Sequence, residues 1–186
     1  MGVFDGKRVW VTGAGTGIGK AAALMFAGEG AHVALIGRRR PMLEQVAGEI
    51  ANRGGGATVA PLDVAQRHAV QAAAKGLLDA QGGVDILVNN AGTNVVNRRL
   101  DEITLEDWDA VLAANLTGAF NMVMAVLPAM RAQNSGLIIN VASTAAKRVS
   151  GAAGIRKVRR QADELLQAIA CAIEKEGATI LERKEF

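Results

Sequence analysis

Successive rather than alternating apolar residues fill the short β-rich runs of this chain, and helical patterns separate those runs. AHVALIG (31–37) and LIINVA (137–142) show the pattern most plainly. A strand with one face in water alternates apolar and polar residues, whereas a strand covered on both faces does not have to. The reading predicts strands over 7–12, 31–37, 57–64, 84–90, 137–142 and 178–182. It predicts helices over 19–30, 41–53, 66–80, 104–133 and 156–176. In the last of these, Val158, Ala162, Leu165, Leu166, Ile169 and Ile173 form one apolar stripe. Strands alternating with helices imply a parallel sheet with helices on both faces. Right-handed crossovers then make it a doubly wound α/β fold, with ligands bound beyond the carboxyl ends of the strands. No repeat or linker interrupts the 186 residues, so one domain over 1–186 is expected.

The turn after the first strand reads TGAGTGIGK (12–20). A phosphate-binding P-loop needs GxxxxGK followed by Ser or Thr. Here Ala14 stands where the first glycine belongs, and Ala21 follows the lysine. The GxGxxG fingerprint fails as well, because its third glycine falls on Ile18. The spacing present is TGxxxGIG. Its glycines let the backbone approach a pyrophosphate, and the helix that follows offers its positive end. Alone, such a turn is a modest signal, and a tight connection that binds nothing is the lesser alternative.

Four further stretches follow in order: Leu62-Asp63-Val64 after the third strand, NNAG at 89–92, Asn115 in the long helix, and NVAS at 140–143. With the glycine turn, they make residues 5–154 resemble the short-chain dehydrogenase/reductase family, whose fold is Rossmann-like. The resemblance implies a nicotinamide dinucleotide. Gly13, Thr16, Gly17, Ile18 and Gly19 are then expected around the pyrophosphate. Asp63 is expected at the adenine amine with the Val64 backbone beside it. Asn89, Ala91 and Gly92 are expected to line the ribose and pin the fourth strand to the glycine turn. The residues themselves leave another reading open for Asn89 and Asn90, since turn asparagines bond their own backbone. The second strand ends LIGRRR (35–40). An acid there would bond the ribose hydroxyls and repel a 2′-phosphate, but Gly37 holds the position and Arg38 follows. A guanidinium suits a phosphate, so NADP is expected, with NAD possible. Arg39 and Arg40 read as surface charge.

The resemblance also implies hydride transfer between the cofactor and a small carbonyl or secondary-alcohol substrate, with Ser, Tyr and Lys at the reacting centre and a supporting asparagine. Ser143 matches the serine and Asn115 the asparagine. The tyrosine and lysine positions fall on Arg156 and Arg160, and the chain contains no tyrosine. Arginine stays protonated, so Arg156 suits an oxyanion better than proton donation. The alternative reading is a cofactor-binding protein without turnover or a non-catalytic partner of an intact relative. Residues 155–186 depart from the family pattern, and relatives are expected to continue through a substrate loop and a further strand.

Charge gives no support for a nucleic-acid partner. Residues 1–154 hold 14 Lys+Arg against 12 Asp+Glu and residues 155–186 hold 7 against 6, so the net +3 divides into +2 and +1. His32 and His68 lack neighbours at ligand spacing, so no metal site is expected. MGVFDGKRVW lacks the apolar core of a signal peptide, and GAFNMVMAVLPAM is short for a bilayer and contains Asn121. The lone Cys171 fits a reducing compartment. A cytoplasmic protein without a membrane partner is expected. The long helix resembles the one that pairs across the family's dimer interface, which predicts a homodimer or tetramer.

Overall fold

Val, Ile and Leu dominate four of the strands because each of those strands has helices or loops packed on both sides. The computed structural model describes residues 2–95, 102–142 and 179–181. Its strands are β1 (Arg8–Thr12), β2 (His32–Gly37), β3 (Gly56–Pro61), β4 (Ile86–Asn89), β5 (Leu137–Asn140) and β6 (Thr179–Leu181). They form one parallel sheet in the order β3-β2-β1-β4-β5-β6. The chain moves outward from β1 to β3, crosses back, and continues from β4 to β6. The switch point therefore lies between β1 and β4, where a doubly wound sheet opens a crevice at its carboxyl edge.

The helices are α1 (Gly17–Gly28), α2 (Arg40–Ala51), α3 (Arg67–Gln81), α4 (Leu105–Leu112) and α5 (Gly118–Ala132). One core lies under α1 and α2 and contains Val9, Val11, Val33, Leu35, Leu43, Ile86 and Val88. The other lies under α3 and α5 and contains Trp10, Ile36, Leu77, Leu87, Met122, Val126 and Ile138. Adjacent residues of β1 thus serve opposite cores, as the two-residue strand period requires. Each fully buried aliphatic side chain contributes about 1.5–3 kcal/mol.

Several boundaries differ from the sequence reading. Helix α1 begins at Gly17 rather than Gly19, because glycines carry no apolar signal. Strand β3 stops at Pro61. Leu62 and Val64 are buried all the same, as loop residues packed in the α3/α5 core. The predicted helix over 104–133 is interrupted by a π-helical turn, Ala113–Thr117, closed by the Gly118 amide bonding the Ala113 carbonyl. Thr104 caps its start by accepting from the Asp107 amide at 3.1 Å. Because the helical run Leu105–Ala132 spans 28 residues, its length and apolarity suffice to cross a membrane, against the expectation drawn from the shorter stretch. In the fold its inner side, including Met122, Val126 and Met130, is buried against the sheet. The helix predicted over 156–176 lies outside the described residues.

Candidate functional site

Every site residue predicted from the sequence and described here falls at the carboxyl edge of the sheet or on the π turn beside it. The glycine turn starts where β1 ends. Gly13 and Gly17 have φ of 66° and 55°, a region that favours glycine. A Cβ on Gly19 would run into the Gly13 carbonyl oxygen and the Asn90 amide, so the turn folds back on itself without room for a side chain. Thr16 precedes α1 in extended conformation without capping the helix through its side chain, and the first turn holds no acid. The helix's leading N–H groups have no partner within the helix. Thr16, Gly17 and Ile18 are exposed, with Ile18 at 66%. An uncapped, positive helix end beside a glycine cradle is suited to a phosphate.

The crevice is held by residues the sequence reading left without a role. Thr12 is buried, and its hydroxyl makes all three bonds open to it. It donates to the Val88 carbonyl at 3.2 Å and accepts from the Asn90 and Ala91 amides at 2.9 Å each. The Asn90 side chain donates to the Thr12 carbonyl at 3.0 Å and reaches the Gly13 carbonyl at 3.5 Å. Pinning of the fourth strand to the glycine turn, expected of Asn89, Ala91 and Gly92, is thus carried by Thr12 and Asn90 with the Ala91 backbone. Asn89 instead faces β5: its amide donates to Asn140 Oδ1 at 3.1 Å, while its own Oδ1 is buried with no bond among the described residues. The available signal was position, a threonine ending a strand directly before the turn and a second asparagine after the first.

Asn115 sits on the π turn, and its side chain grips one residue of the β4 loop. Its Oδ1 accepts from the Thr93 amide at 2.8 Å and its Nδ2 donates to the Thr93 carbonyl at 3.0 Å. A Cβ on Gly92 would lie 2.7 Å from that Oδ1, so glycine is what allows the approach. Asp63 folds its carboxylate onto its own turn, accepting from the Ala65 amide at 3.0 Å. The Val64 carbonyl accepts from Asn121 at 3.0 Å.

At the end of β2, Arg38 is exposed and makes no ion pair among the described residues. Arg40 pairs with Glu44 at 3.5 Å. Arg39, read as surface charge, donates to Thr16 Oγ1 at 3.4 Å and so leans over the glycine turn. A Cβ on Gly37 would meet only Leu43, at 3.4 Å, so packing leaves room there for a side chain. Ser143, Arg156 and Arg160 lie outside the described residues.

A doubly wound parallel sheet with a glycine cradle and an uncapped helix end at its switch point defines a nucleotide-binding α/β protein. Residues 7–155 match the model of the short chain dehydrogenase family, and the chain belongs to that family. An uncharacterized oxidoreductase of Staphylococcus aureus (strain MRSA252) is 34% identical over 178 residues, covering 96% of this chain and 74% of that protein. A metagenomic short-chain oxidoreductase solved in complex with NADP superposes with a TM-score of 0.90 at 32% identity, over 96% of this chain and 81% of that one. An NAD+-bound xylitol dehydrogenase superposes with a TM-score of 0.91 at 31% identity, over 97% and 70%.

Proposed function

We propose that this chain binds NADP(H) along the carboxyl edge of its sheet, as an oxidoreductase acting on a small carbonyl or secondary alcohol. The observation that carries the reading is the cradle at the switch point: a glycine turn with no room for a Cβ at Gly13 or Gly19, leading into an uncapped helix end, with exposed Arg38 beside it. Gly13, Thr16, Gly17, Ile18 and Gly19 hold the pyrophosphate, Asp63 and Val64 the adenine, and Asn89, Ala91 and Gly92 the ribose side. When bound, the cofactor supplies or accepts the hydride. Arg38 holds a 2′-phosphate, and Arg39, already bonded to Thr16, adds a second cation at that end. Ser143 offers a hydroxyl to the substrate oxygen. Asn115 acts by position, since its side chain is engaged with Thr93.

The test is a titration of NADPH and NADH against the unaltered chain, Arg38→Ala and Gly37→Asp. Loss of charge-assisted bonds is worth about 10–100-fold in NADPH affinity for Arg38→Ala, with NADH nearly unchanged. Gly37→Asp is expected to reverse the preference. Equal affinity for the two cofactors in the unaltered chain refutes the assignment of Arg38.

A second reading, cofactor binding without turnover, is favoured by one observation: no tyrosine exists in the chain to serve as the acid. Turnover of simple ketones with NADPH separates the two. Self-association belongs to either reading. Leu105 and Met124 are 80% and 50% exposed on the outer side of the α4–α5 run, which a second copy would cover. A monomer by light scattering at micromolar concentration refutes that part.

A further inference from the structure

The adenine-side turn is fastened to α5 by one buried asparagine that touches neither the glycine turn nor the β4 loop. Asn121 is 4% exposed and sits among the buried residues Ala119, Met122 and Val123 of α5. An apolar residue there would extend the core, and a buried amide is costly unless its donor and acceptor are both used. Both of its partners lie at the connection between β3 and α3. Its Nδ2 donates to the Val64 carbonyl at 3.0 Å, and its Oδ1 accepts from Arg67 Nε at 3.4 Å, at the first residue of α3. A third contact closes the same gap: a Cβ on Gly118 would lie 2.5 Å from Val64 Cγ2, so the Val64 side chain rests directly on the α5 backbone. Within the turn, Asp63 holds the Ala65 amide through Oδ1 and the Gln66 amide through its carbonyl, each at 3.0 Å. The Val64 peptide therefore has its carbonyl fixed from α5 and its neighbours fixed by Asp63.

We propose that Asn121 is the positioning residue of the Asp63–Gln66 turn, setting from α5 the orientation in which Asp63 and the Val64 backbone meet an adenine ring. The part concerning adenine rests on the function proposed above. The part concerning the turn does not, and the experiment separates them. Hydrogen exchange at the Ala65 and Gln66 amides is measured on the full chain without nucleotide, for the unaltered protein, Asn121→Leu and Asn121→Asp. Affinities for adenosine 2′,5′-bisphosphate and for reduced nicotinamide mononucleotide are measured alongside. Asn121→Leu removes both bonds. Asn121→Asp keeps the volume and the acceptor for Arg67 but loses the donor to Val64, so it remains informative if the leucine variant fails to fold. Both are expected to speed exchange at the two amides by about tenfold, the equivalent of one lost hydrogen bond. Both are expected to weaken the adenosine nucleotide by about five- to tenfold and leave the mononucleotide unchanged. Unchanged exchange in Asn121→Asp overturns the proposal, and so does exchange that rises equally across α5 and the sheet. Faster exchange at the turn with undiminished affinity for the adenosine nucleotide overturns the adenine site itself.

Discussion

At the amino edge of the sheet, opposite the crevice, Arg8 ties four elements together, and its removal should be visible in both stability and acid sensitivity. Its guanidinium donates to Asp85 Oδ2 through Nε at 2.8 Å and to Asp85 Oδ1 through Nη2 at 3.0 Å. Nη1 donates to the Gly82 carbonyl at 2.6 Å beyond α3, and Nη2 to Gln133 Oε1 at 3.1 Å beyond α5. The side chains are only 24% and 16% exposed, so this is a forked, partly buried pair rather than a surface one. Arg8→Met removes those four bonds but keeps the Arg8 backbone amide donating to Asp85 at 2.8 Å. Charge-assisted bonds contribute about 1.5–3 kcal/mol and neutral ones about 0.5–1.5. With partial solvent access and the surviving backbone bond, a cost of about 2–4 kcal/mol is expected, or a fall in Tm of about 4–16 °C. Side-chain hydrogen bonding from Arg8 holds the Asp85 carboxyl below its ordinary value, against desolvation that raises it. A lowered carboxylate contributes stability that is present above its unfolded value of about 3.9 and lost as pH falls through the folded one. The gap between the unaltered chain and Arg8→Met should therefore be full at pH 7 and narrow below about pH 4. Urea unfolding at pH 7, 5 and 3 measures it. A gap under about 0.5 kcal/mol at pH 7, or one that widens with acid, refutes the clamp.

Gly19→Ala places a Cβ against the Gly13 carbonyl and the Asn90 amide. It should destabilise by about 1–3 kcal/mol and weaken NADPH by more than tenfold. Gly28→Ala, at a helix end with open space around it, should be neutral or slightly stabilising by the same urea and titration measurements. Arg156→Tyr with Arg160→Lys should raise ketone reduction above that of the unaltered chain, since a phenol can donate the proton that a guanidinium retains. A robust rate in the unaltered chain that survives Ser143→Ala would place the chemistry elsewhere.

The order of strands and helices was legible because burial on both faces leaves continuous apolar runs, as in β2. What the runs did not show was where burial stops meaning strand. Leu62 and Val64 look like the end of β3 but pack as loop: the Leu62 amide still bonds the Gly37 carbonyl at 2.8 Å, but β2 ends there and Asp63 turns the chain. The π turn left no mark in the apolar period, because an added residue among Ala113, Ala114 and Leu116 only rotates one apolar surface into another. Of the candidate site, motif spacing located the turns. The ties across the crevice depend on which atoms meet in space, so Arg39 and Asn121 carried no pattern to read and Thr12 showed only its position before the turn.

Those ties share a chemical cause. The β1–β4 ladder ends at Val11 and Val88, and β4 pairs with β5 only as far as Asn89 and Asn140. Past those points the strands diverge to open the crevice, leaving backbone donors and acceptors in a partly buried place where they still need partners. An asparagine side chain carries the same donor and acceptor as a peptide group on a short stem. Asn90 extends the β1–β4 ladder to Thr12, Asn115 replaces a missing strand partner for both backbone polar atoms of Thr93, and Asn121 does so for the Val64 carbonyl. Each lets the backbone stay separated from its neighbour by the width of one side chain while remaining bonded to it. A crevice built this way is spanned by hydrogen bonds from side chains. Asn89 is the exception that shows the cost: its amide bonds Asn140, yet its Oδ1 is buried without a partner among the described residues.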